Sequence, residues 1–188
     1  MRSLKRLPAL LALNLTLALV LTSGCVEGGG EPMETVPKVD LERFMGDWYV
    51  VAVIPTFVEK GAYNPVESYA LNPDGTIATT FTFNKDALDG PEKEYHPKGF
   101  VRNKETNALW GMQFIWPFKG DFRIIYLDDD YQLTVIGRAK RDYVWIMSRS
   151  PAFSDAEFER MKAFVESVGY DGSKLIRPQH DMTDGLDR

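Results

Sequence analysis

The sequence contains very few of the side chains that most often carry metal, redox or nucleophilic chemistry. Its 188 residues include one cysteine, Cys25, and two histidines, His96 and His180. A single thiol cannot form an internal disulfide, and so few thiol and imidazole groups leave almost no ligands for a zinc site. Chemistry by a cysteine nucleophile inside the folded domain is nearly excluded for the same reason. We therefore expect no metal ion and no cofactor.

Basic residues are outnumbered as well. The chain has 22 lysines and arginines against 27 aspartates and glutamates, which gives a formal net charge of −5. Nucleic-acid-binding proteins need a basic face to displace phosphate counterions, so this composition argues against that class. With 44% hydrophobic residues and only 15 glycines and 11 prolines, the chain is neither disordered nor of low complexity. It should form one globular domain.

The first 24 residues have the pattern of a secretory signal peptide. Three basic residues and no acidic one accompany an apolar run from Leu7 to Leu21, and the small residues Ser23 and Gly24 follow. The run has about 15 residues, whereas a helix needs about 20 to cross a bilayer. A permanent transmembrane helix is therefore the weaker interpretation, and we predict a signal peptide over residues 1–24.

The only cysteine stands directly after this segment. The stretch Leu21-Thr22-Ser23-Gly24-Cys25 resembles the lipobox of bacterial lipoproteins, in which the chain is cut before the cysteine and the cysteine is acylated with fatty acids such as palmitate. The resemblance implies a lipid anchor on Cys25, and Val26 in the next position implies sorting to the outer membrane. The alternative is an ordinary signal peptide with an incidental cysteine. Residues 25–38 are rich in glycine, glutamate and proline and predict a flexible tether.

The rest of the chain alternates short apolar stretches with turn sequences, which predicts an all-β domain. Asn72-Pro73-Asp74-Gly75 is one such turn, because proline presets φ and glycine accepts a positive φ. Eight consecutive strands, joined by short turns except for a longer connection over residues 55–65, favour an eight-stranded, up-and-down antiparallel β-barrel. The predicted strands are Trp48–Ile54, Val66–Leu71, Thr76–Asn84, Lys93–Asn103, Ala108–Ile115, Asp121–Leu127, Tyr131–Arg138 and Tyr143–Arg149.

One α-helix is predicted after the last strand. Ser154 and Glu157 form a capping box, and Gly169 is placed to end the helix. A single amphipathic helix must bury its apolar stripe against another element, so we expect it on the outside of the barrel wall. The predicted domain covers residues 39–178, and residues 179–188 are predicted to be a disordered tail. The apolar stripe consists of Phe158, Met161, Val165 and Val168.

Three motifs at the strand ends resemble the signatures of the lipocalin family. The segment 44–49 contains Gly46-Asp47-Trp48, the segment 126–131 is an acidic turn that ends in a tyrosine, and Arg149 closes the last strand. The likeness extends over residues 40–178 and is strongest to bacterial outer-membrane lipocalins and their apolipoprotein D-like relatives. In that family Trp48 would plug the barrel floor, Arg149 would cover its ring, and Gly46 would permit the entry into the first strand.

Lipocalin barrels hold one small ligand, and strand alternation predicts which side chains face it. Apolar and aromatic residues share one face on several strands, which favours an apolar ligand such as a fatty acid or lysophospholipid. The alternative is that these residues simply fill a packed core. The candidate ligand-binding residues are Tyr69, Ile77, Phe81, Phe83, Trp110, Met112, Phe114, Tyr126 and Trp145.

Two other groups of residues have a predicted position at the ends of the barrel. If the family topology holds, aromatic loop residues lie at the mouth together with Lys60 and Lys119, which can meet an anionic head group or be ordinary surface charges. The run Asp128-Asp129-Asp130 is interpreted as a solvated turn, because adjacent carboxylates point in different directions and calcium needs six to eight oxygens. The aromatic loop residues are Phe57, Tyr63, Trp116 and Phe118.

These observations favour a lipid-binding protein, a monomer or homodimer, anchored in the outer membrane and facing the periplasm. Such a protein would carry or store lipid for membrane maintenance or under stress. An enzyme that modifies a lipid or isoprenoid in the barrel is the alternative, although no serine–histidine–aspartate constellation is visible. A barrel with an empty cavity that serves only as an interaction protein is a third possibility.

Overall fold

A computed structural model describes residues 32–182. Nine strands follow a short helix, and a longer helix and a single 3₁₀ turn, Gly172–Lys174, follow the strands. The helices are α1 (Leu41–Phe44) and α2 (Asp155–Ser167). The strands are β1 (Gly46–Ile54), β2 (Ala62–Leu71), β3 (Thr76–Lys85), β4 (Glu92–Tyr95), β5 (Lys98–Val101), β6 (Leu109–Ile115), β7 (Phe118–Leu127), β8 (Leu133–Gly137) and β9 (Val144–Ser148).

The strands form one closed antiparallel barrel. Except for β4 and β5, each strand pairs with the next along the chain, and β9 returns to pair with β1. Both β4 and β5 pair with β3, so together they occupy the place of one barrel strand. This confirms the predicted eight-stranded barrel, but the prediction of a continuous fourth strand over residues 93–103 is wrong. The break falls at Pro97, which has no backbone N–H to donate and uses only its carbonyl, 3.2 Å from the Thr79 nitrogen.

Because the strands alternate in direction, the connections divide between two ends of the barrel. The turns around residues 72–75, 103–107 and 128–131 lie at the end where β1 begins. The helix α1 crosses this end with Phe44 buried, and we call it the closed end. The loops around residues 55–61, 86–91, 115–118 and 138–143 lie at the opposite end, which we call the open end.

The helix α1 was not predicted, because four residues are too few to show a helical period. Its start is fixed by Asp40, whose carboxylate accepts hydrogen bonds from the backbone nitrogens of Glu42 and Arg43. The helix α2 confirms the prediction in detail. The Ser154–Glu157 capping box is present, and Gly169, with φ of +94°, follows its end.

The helix α2 packs on the outer wall of the barrel, as predicted. Met161 and Val165 are buried there against Val135 and Ile146, which point outward from β8 and β9. This outer core is separate from the one inside the barrel, since the two sets of buried residues face opposite sides of the same sheet. The side chains that point into the barrel are therefore not used to pack α2.

The chain after α2 returns to the open half of the barrel wall. Ile176 forms a bridge with Val53, the Gln179 carbonyl accepts from the Asn64 nitrogen at 2.9 Å, and His180 Nε2 lies 2.9 Å from the Val50 carbonyl. For residues 179–181 the prediction of a disordered tail is wrong, because these hydrogen bonds hold them against β1 and β2. Residues 1–31 and 183–188, with the predicted signal peptide and Cys25, lie outside the described residues.

No helix within residues 32–182 is long and apolar enough to cross a membrane.

Candidate functional site

The closed half of the barrel interior is filled by aromatic rings. Trp110 stacks on Phe122 with ring centroids 4.9 Å apart and an interplanar angle of 7°. The ring centroid of Phe44, in α1, lies 5.1 Å from that of Trp48 and 5.7 Å from that of Tyr69. Tyr69 and Trp110, predicted as ligand-binding residues, thus form part of a packed floor. Ile77 is fully buried beside this floor.

The Trp48 plug is covered from outside by Arg149. The guanidinium carbon lies 3.7 Å from the centroid of the indole ring, and Trp48 Nε1 donates to the Phe44 carbonyl at 2.8 Å. Arg149 also donates to the carbonyl oxygens of Asp47 at 2.6 Å and Met45 at 2.8 Å. These bonds fasten α1 and the start of β1 to the end of β9.

Glycine is required at position 46, where β1 begins beside Arg149. Its φ is +92°, a conformation that residues with a side chain rarely adopt, and an added Cβ would lie 3.4 Å from Arg149 Nη1. Burial lowers the pKa of Arg149 to about 10, which leaves the guanidinium charged at neutral pH. Gly46, Trp48 and Arg149 thus lie in contact at the closed end and stabilise it, away from the open half of the interior.

Above the floor, the inward faces of β3, β6 and β9 carry mainly apolar side chains. Phe81 and Phe83 are buried with their ring centroids 5.3 Å apart. Met112 lies on the inner face of β6, and its sulfur accepts a hydrogen bond from the Thr79 hydroxyl at 3.8 Å. Trp145 faces inward from β9. The register of β6 is therefore the predicted one, with Met112 inside and Gln113 on the opposite face.

Two predicted site residues are not in the interior. Tyr126 was expected inside because it shares the parity of Phe122 and Ile124, and this prediction is wrong. The pairing of β7 with β8 shifts register between Ile124 and Tyr126, so the extra residue turns the Tyr126 side chain to the outer wall. Its ring there meets Phe164 of α2 at 5.3 Å. Phe114 has the inward parity of β6 but lies at the open rim, exposed to solvent.

Two buried glutamates in the interior were missed by the sequence analysis. Glu67 lies on β2 opposite Trp48, and its Oε2 accepts a hydrogen bond from the Tyr69 hydroxyl. Glu59 belongs to the loop after β1, yet its side chain is buried. Its Oε2 accepts from the Thr56 nitrogen at 2.8 Å and its Oε1 from Trp145 Nε1 at 2.5 Å. Neither carboxyl forms an ion pair within residues 32–182.

The buried environment of Glu67 raises the pKa of its carboxyl. Its pKa is raised to about 7, mainly by burial; the hydrogen bond from Tyr69 lowers the pKa and the nearby charge of Glu59 raises it. Burial, followed by the charge of Glu67, also raises the pKa of Tyr69, which therefore remains a donor. At neutral pH the interior thus holds a carboxyl close to half protonation, and a second anion at its depth would be repelled.

A signal for one of these glutamates was available in the sequence. Glu67 shares the parity of Tyr69 on the predicted second strand, so the alternation that placed Tyr69 inside also placed Glu67 inside. For Glu59 no such signal existed, because loop residues have no periodic pattern.

Neither His96 nor the acidic turn forms a metal site. His96 lies on the outer surface with Nε2 2.6 Å from Glu94 Oε1. Asp128 Oδ1 accepts from the backbone nitrogens of Gln132 at 2.7 Å and Leu133 at 3.0 Å, so this carboxylate closes the turn into β8. No group of three histidine, cysteine, aspartate or glutamate residues able to hold a metal exists in the described part of the chain.

Comparison with known proteins agrees with this architecture. A family profile described as a lipocalin-like domain matches residues 39–180. Temperature-induced lipocalin-1 of Arabidopsis thaliana is 33% identical over 156 residues, which cover 79% of this chain and 84% of that protein. Outer membrane lipoprotein Blc of Escherichia coli (strain K12) is 31% identical over 142 residues, covering 75% of this chain and 79% of that protein.

A solved structure shows the same fold. Insecticyanin from the tobacco hornworm Manduca sexta superimposes with a TM-score of 0.64 at 16% identity, over 82% of this chain and 88% of that one. The profile match, the identity to the two relatives and the motif residues gathered at the closed end all agree. The chain therefore belongs to the lipocalin family and is similar to its bacterial outer-membrane members.

Proposed function

We propose that this lipocalin binds an elongated apolar ligand, such as a fatty acid or a lysophospholipid, in the open half of its barrel. The observation that carries the proposal is the inward-facing set Phe81, Phe83, Met112 and Trp145, which lies between the aromatic floor and the open end. Apolar walls with few polar groups are typical of sites for lipid chains. Burying about 400 Å² of acyl chain at about 25 cal/mol per Å² gives about 10 kcal/mol. Ordering costs of about 2 kcal/mol then bring the Kd near micromolar.

The buried glutamates determine the direction in which such a ligand enters. An anionic head group near Glu67 would meet a partly ionised carboxyl without a compensating cation. We infer that the acyl chain enters first and the head group stays at the open end. Lys60 and Lys119 are exposed there and have the charge to meet a carboxylate or phosphate.

We further propose that the protein is held at the outer membrane by lipids on Cys25 and faces the periplasm, as a monomer or homodimer. The lipobox-like sequence before Cys25 supports this, and a 31% identical relative is named an outer membrane lipoprotein. A lipid carrier attached to the membrane can collect or return membrane-derived lipids without leaving that membrane. This suits membrane maintenance or a response to stress.

The binding proposal is tested by titrating delipidated protein with palmitate and following tryptophan fluorescence. We expect a saturable change at one ligand per barrel with a Kd of about micromolar or below. Met112→Arg should remove most of the binding, because it introduces an unpaired cation among apolar side chains. Gln113→Arg, on the outer face of the same strand, is the matched control and should bind like the wild type. Equal binding by both variants, or no binding by the wild type, would refute the proposed site.

One observation favours a second function, that of an enzyme acting on a lipid or isoprenoid. Glu67 is buried inside the barrel with a pKa of about 7, which suits a general acid or base at neutral pH. Mass spectrometry separates the two functions. The lipid that copurifies with the protein is identified first and is measured again after incubation with the protein. An unchanged lipid supports carriage, whereas a converted lipid whose conversion stops in Glu67→Gln supports catalysis.

A further inference from the structure

We propose that the open end of the barrel docks onto the bilayer that holds the lipid anchor, so that the mouth of the barrel faces lipid rather than water. This inference rests on the proposed acylation of Cys25. The occupant of the surface is the lipid bilayer itself, and the contacts come from three of the four loops at the open end.

Large apolar side chains stand in water at these loops. Phe57 between β1 and β2 is 83% exposed, and Trp116 and Phe118 at the β6–β7 hairpin are 82% and 75% exposed. Ile115 and, between β3 and β4, Leu88 are exposed as well. Soluble monomers rarely leave so many large apolar side chains at one end of the molecule. We call these five residues the apolar rim.

The arrangement of the apolar rim fits a flat partner. The β1–β2 loop and the β6–β7 hairpin stand on opposite sides of the barrel mouth, because four barrel strands separate them in either direction around the wall. A helix or a peptide could cover one side of the mouth, whereas a plane touches both sides at once. The fourth loop, between β8 and β9, has no large apolar tip and carries Arg138, Lys140 and Arg141.

The two ends of the barrel differ in charge. At the open end Asp86 and Asp89 lie beside Leu88, whereas the β8–β9 loop carries three basic residues against Asp142. The segment 113–120 has no acidic residue and contains tryptophan, phenylalanine and lysine, which are the side chains favoured at the boundary of an anionic bilayer. The closed end, in contrast, exposes the carboxylates of Glu42, Asp74, Glu105, Asp129 and Asp130 against the bases Arg43 and Lys104. Anionic lipid would repel that end.

The position at which the chain leaves the barrel agrees with this orientation. Met33 lies beside Gly137, the last residue of β8, at the open end of the barrel. The carbonyl of Met33 accepts a hydrogen bond from Arg123 Nη1 at 3.2 Å. Cys25 is seven residues before Pro32, so the connecting segment spans at most about 25 Å when fully extended. A ten-residue strand tilted by about 40° makes the barrel roughly 25 Å tall. If the closed end faced the membrane, the segment from Cys25 to Pro32 would have to be almost fully extended to cover that height.

Spin labels test the docking on the acylated, full-length protein in vesicles of phosphatidylethanolamine and phosphatidylglycerol. Acylation would block Cys25, so the label attaches only to a new cysteine. The variants are Trp116→Cys and Phe118→Cys at the apolar rim and Asp74→Cys at the closed end as the control. We expect the first two labels to collide with oxygen dissolved in lipid and to be protected from a water-soluble nickel complex. The label at 74 should show the reverse.

A second set of variants separates docking from anchoring. In Phe57→Cys the label should also lie in lipid, and adding Trp116→Ser and Phe118→Ser should move it into water while the protein stays in the membrane fraction. That result supports a contact made by the apolar rim itself, since the anchor is unchanged.

Three outcomes would overturn the proposal, and they can be told apart. If labels at 116 and 118 are as accessible to the nickel complex as the label at 74, the docking is refuted while the anchor and ligand binding stand. If those labels are shielded from oxygen and show dipolar coupling between molecules, the rim joins two copies of the chain instead. If Cys25 reacts as a free thiol and a salt wash releases the protein, the anchor is refuted and the docking with it.

Discussion

Replacing Glu67 with glutamine should make the protein more stable at alkaline pH and flatten the dependence of its stability on pH. Burial raises the pKa of Glu67 from 4.5 to about 7 in the folded protein. The folded state therefore binds this proton more tightly than the unfolded chain does. The resulting stability is fully present below about pH 4.5, is lost as the pH rises towards 7, and changes little above it.

The size of this effect follows from the distance between the two pKa values. At about 1.4 kcal/mol for each pH unit between them, ionisation of Glu67 costs about 3 kcal/mol of the free energy of unfolding. Glutamine stays neutral over the whole range, and its amide oxygen can still accept the hydrogen bond from the Tyr69 hydroxyl. Glu67→Gln should thus exceed the wild type by about 1 kcal/mol at pH 5 and by about 3 kcal/mol at pH 8.

Urea unfolding at pH 5, 6, 7 and 8, followed by tryptophan fluorescence, measures this difference. His180 changes the stability in the opposite direction. Burial lowers the pKa of His180 in the folded protein, so the stability rises with pH up to the pKa that the histidine has in the unfolded chain. Both proteins contain His180, so its contribution cancels when the two curves are subtracted. Glu105→Gln, at an exposed position, is the control and should follow the wild type. Parallel curves for wild type and Glu67→Gln would refute the assignment of a buried, titrating carboxyl.

Three further changes test other parts of the structure. Trp48→Ala should lower the free energy of unfolding by about 3–5 kcal/mol because it opens a void in the aromatic floor, and an unchanged Tm would contradict the plug. Ser154→Ala removes one half of the capping box and should cost about 1 kcal/mol in urea unfolding, whereas Ser173→Ala, outside α2, serves as its comparison. Cys25→Ala should release the protein from the membrane fraction while its circular dichroism spectrum stays that of a folded barrel, and a variant that remains membrane-bound after a high-salt wash would contradict the anchor.

Much of the fold could be predicted because local patterns and the global structure agree. In the strand Thr76–Lys85 the stretch from Thr80 to Asn84 alternates between polar and apolar residues, and the turn at residues 72–75 has the residues its backbone needs. The capping box of α2 is visible as two residues three positions apart. The motif residues Trp48 and Arg149, far apart in sequence, could be brought together only through the family resemblance, since no local pattern pairs them.

The wrong placement of Tyr126 and the omission of Glu59 have one physical origin, which is the loss of period two. The register shift at Ile124–Tyr126 adds one residue to β7, so every parity argument fails beyond it. Met112 lies in a stretch whose pairing with β5 is regular, and there alternation gives the correct face. Glu59 reaches the interior from a loop, where the side-chain direction is set by tertiary contacts with Thr56 and Trp145 and not by a repeat.

The interruption of the fourth strand at Pro97 leaves one open edge in an otherwise closed wall. Within residues 32–182, β4 pairs with β3 alone, so the other side of β4 presents backbone donors and acceptors that a foreign strand can pair with. Glu92, Lys93, Glu94 and His96 are all exposed along this short segment. Charged side chains at a sheet edge oppose the addition of another chain, which protects the protein from aggregation at the place where its barrel is incomplete.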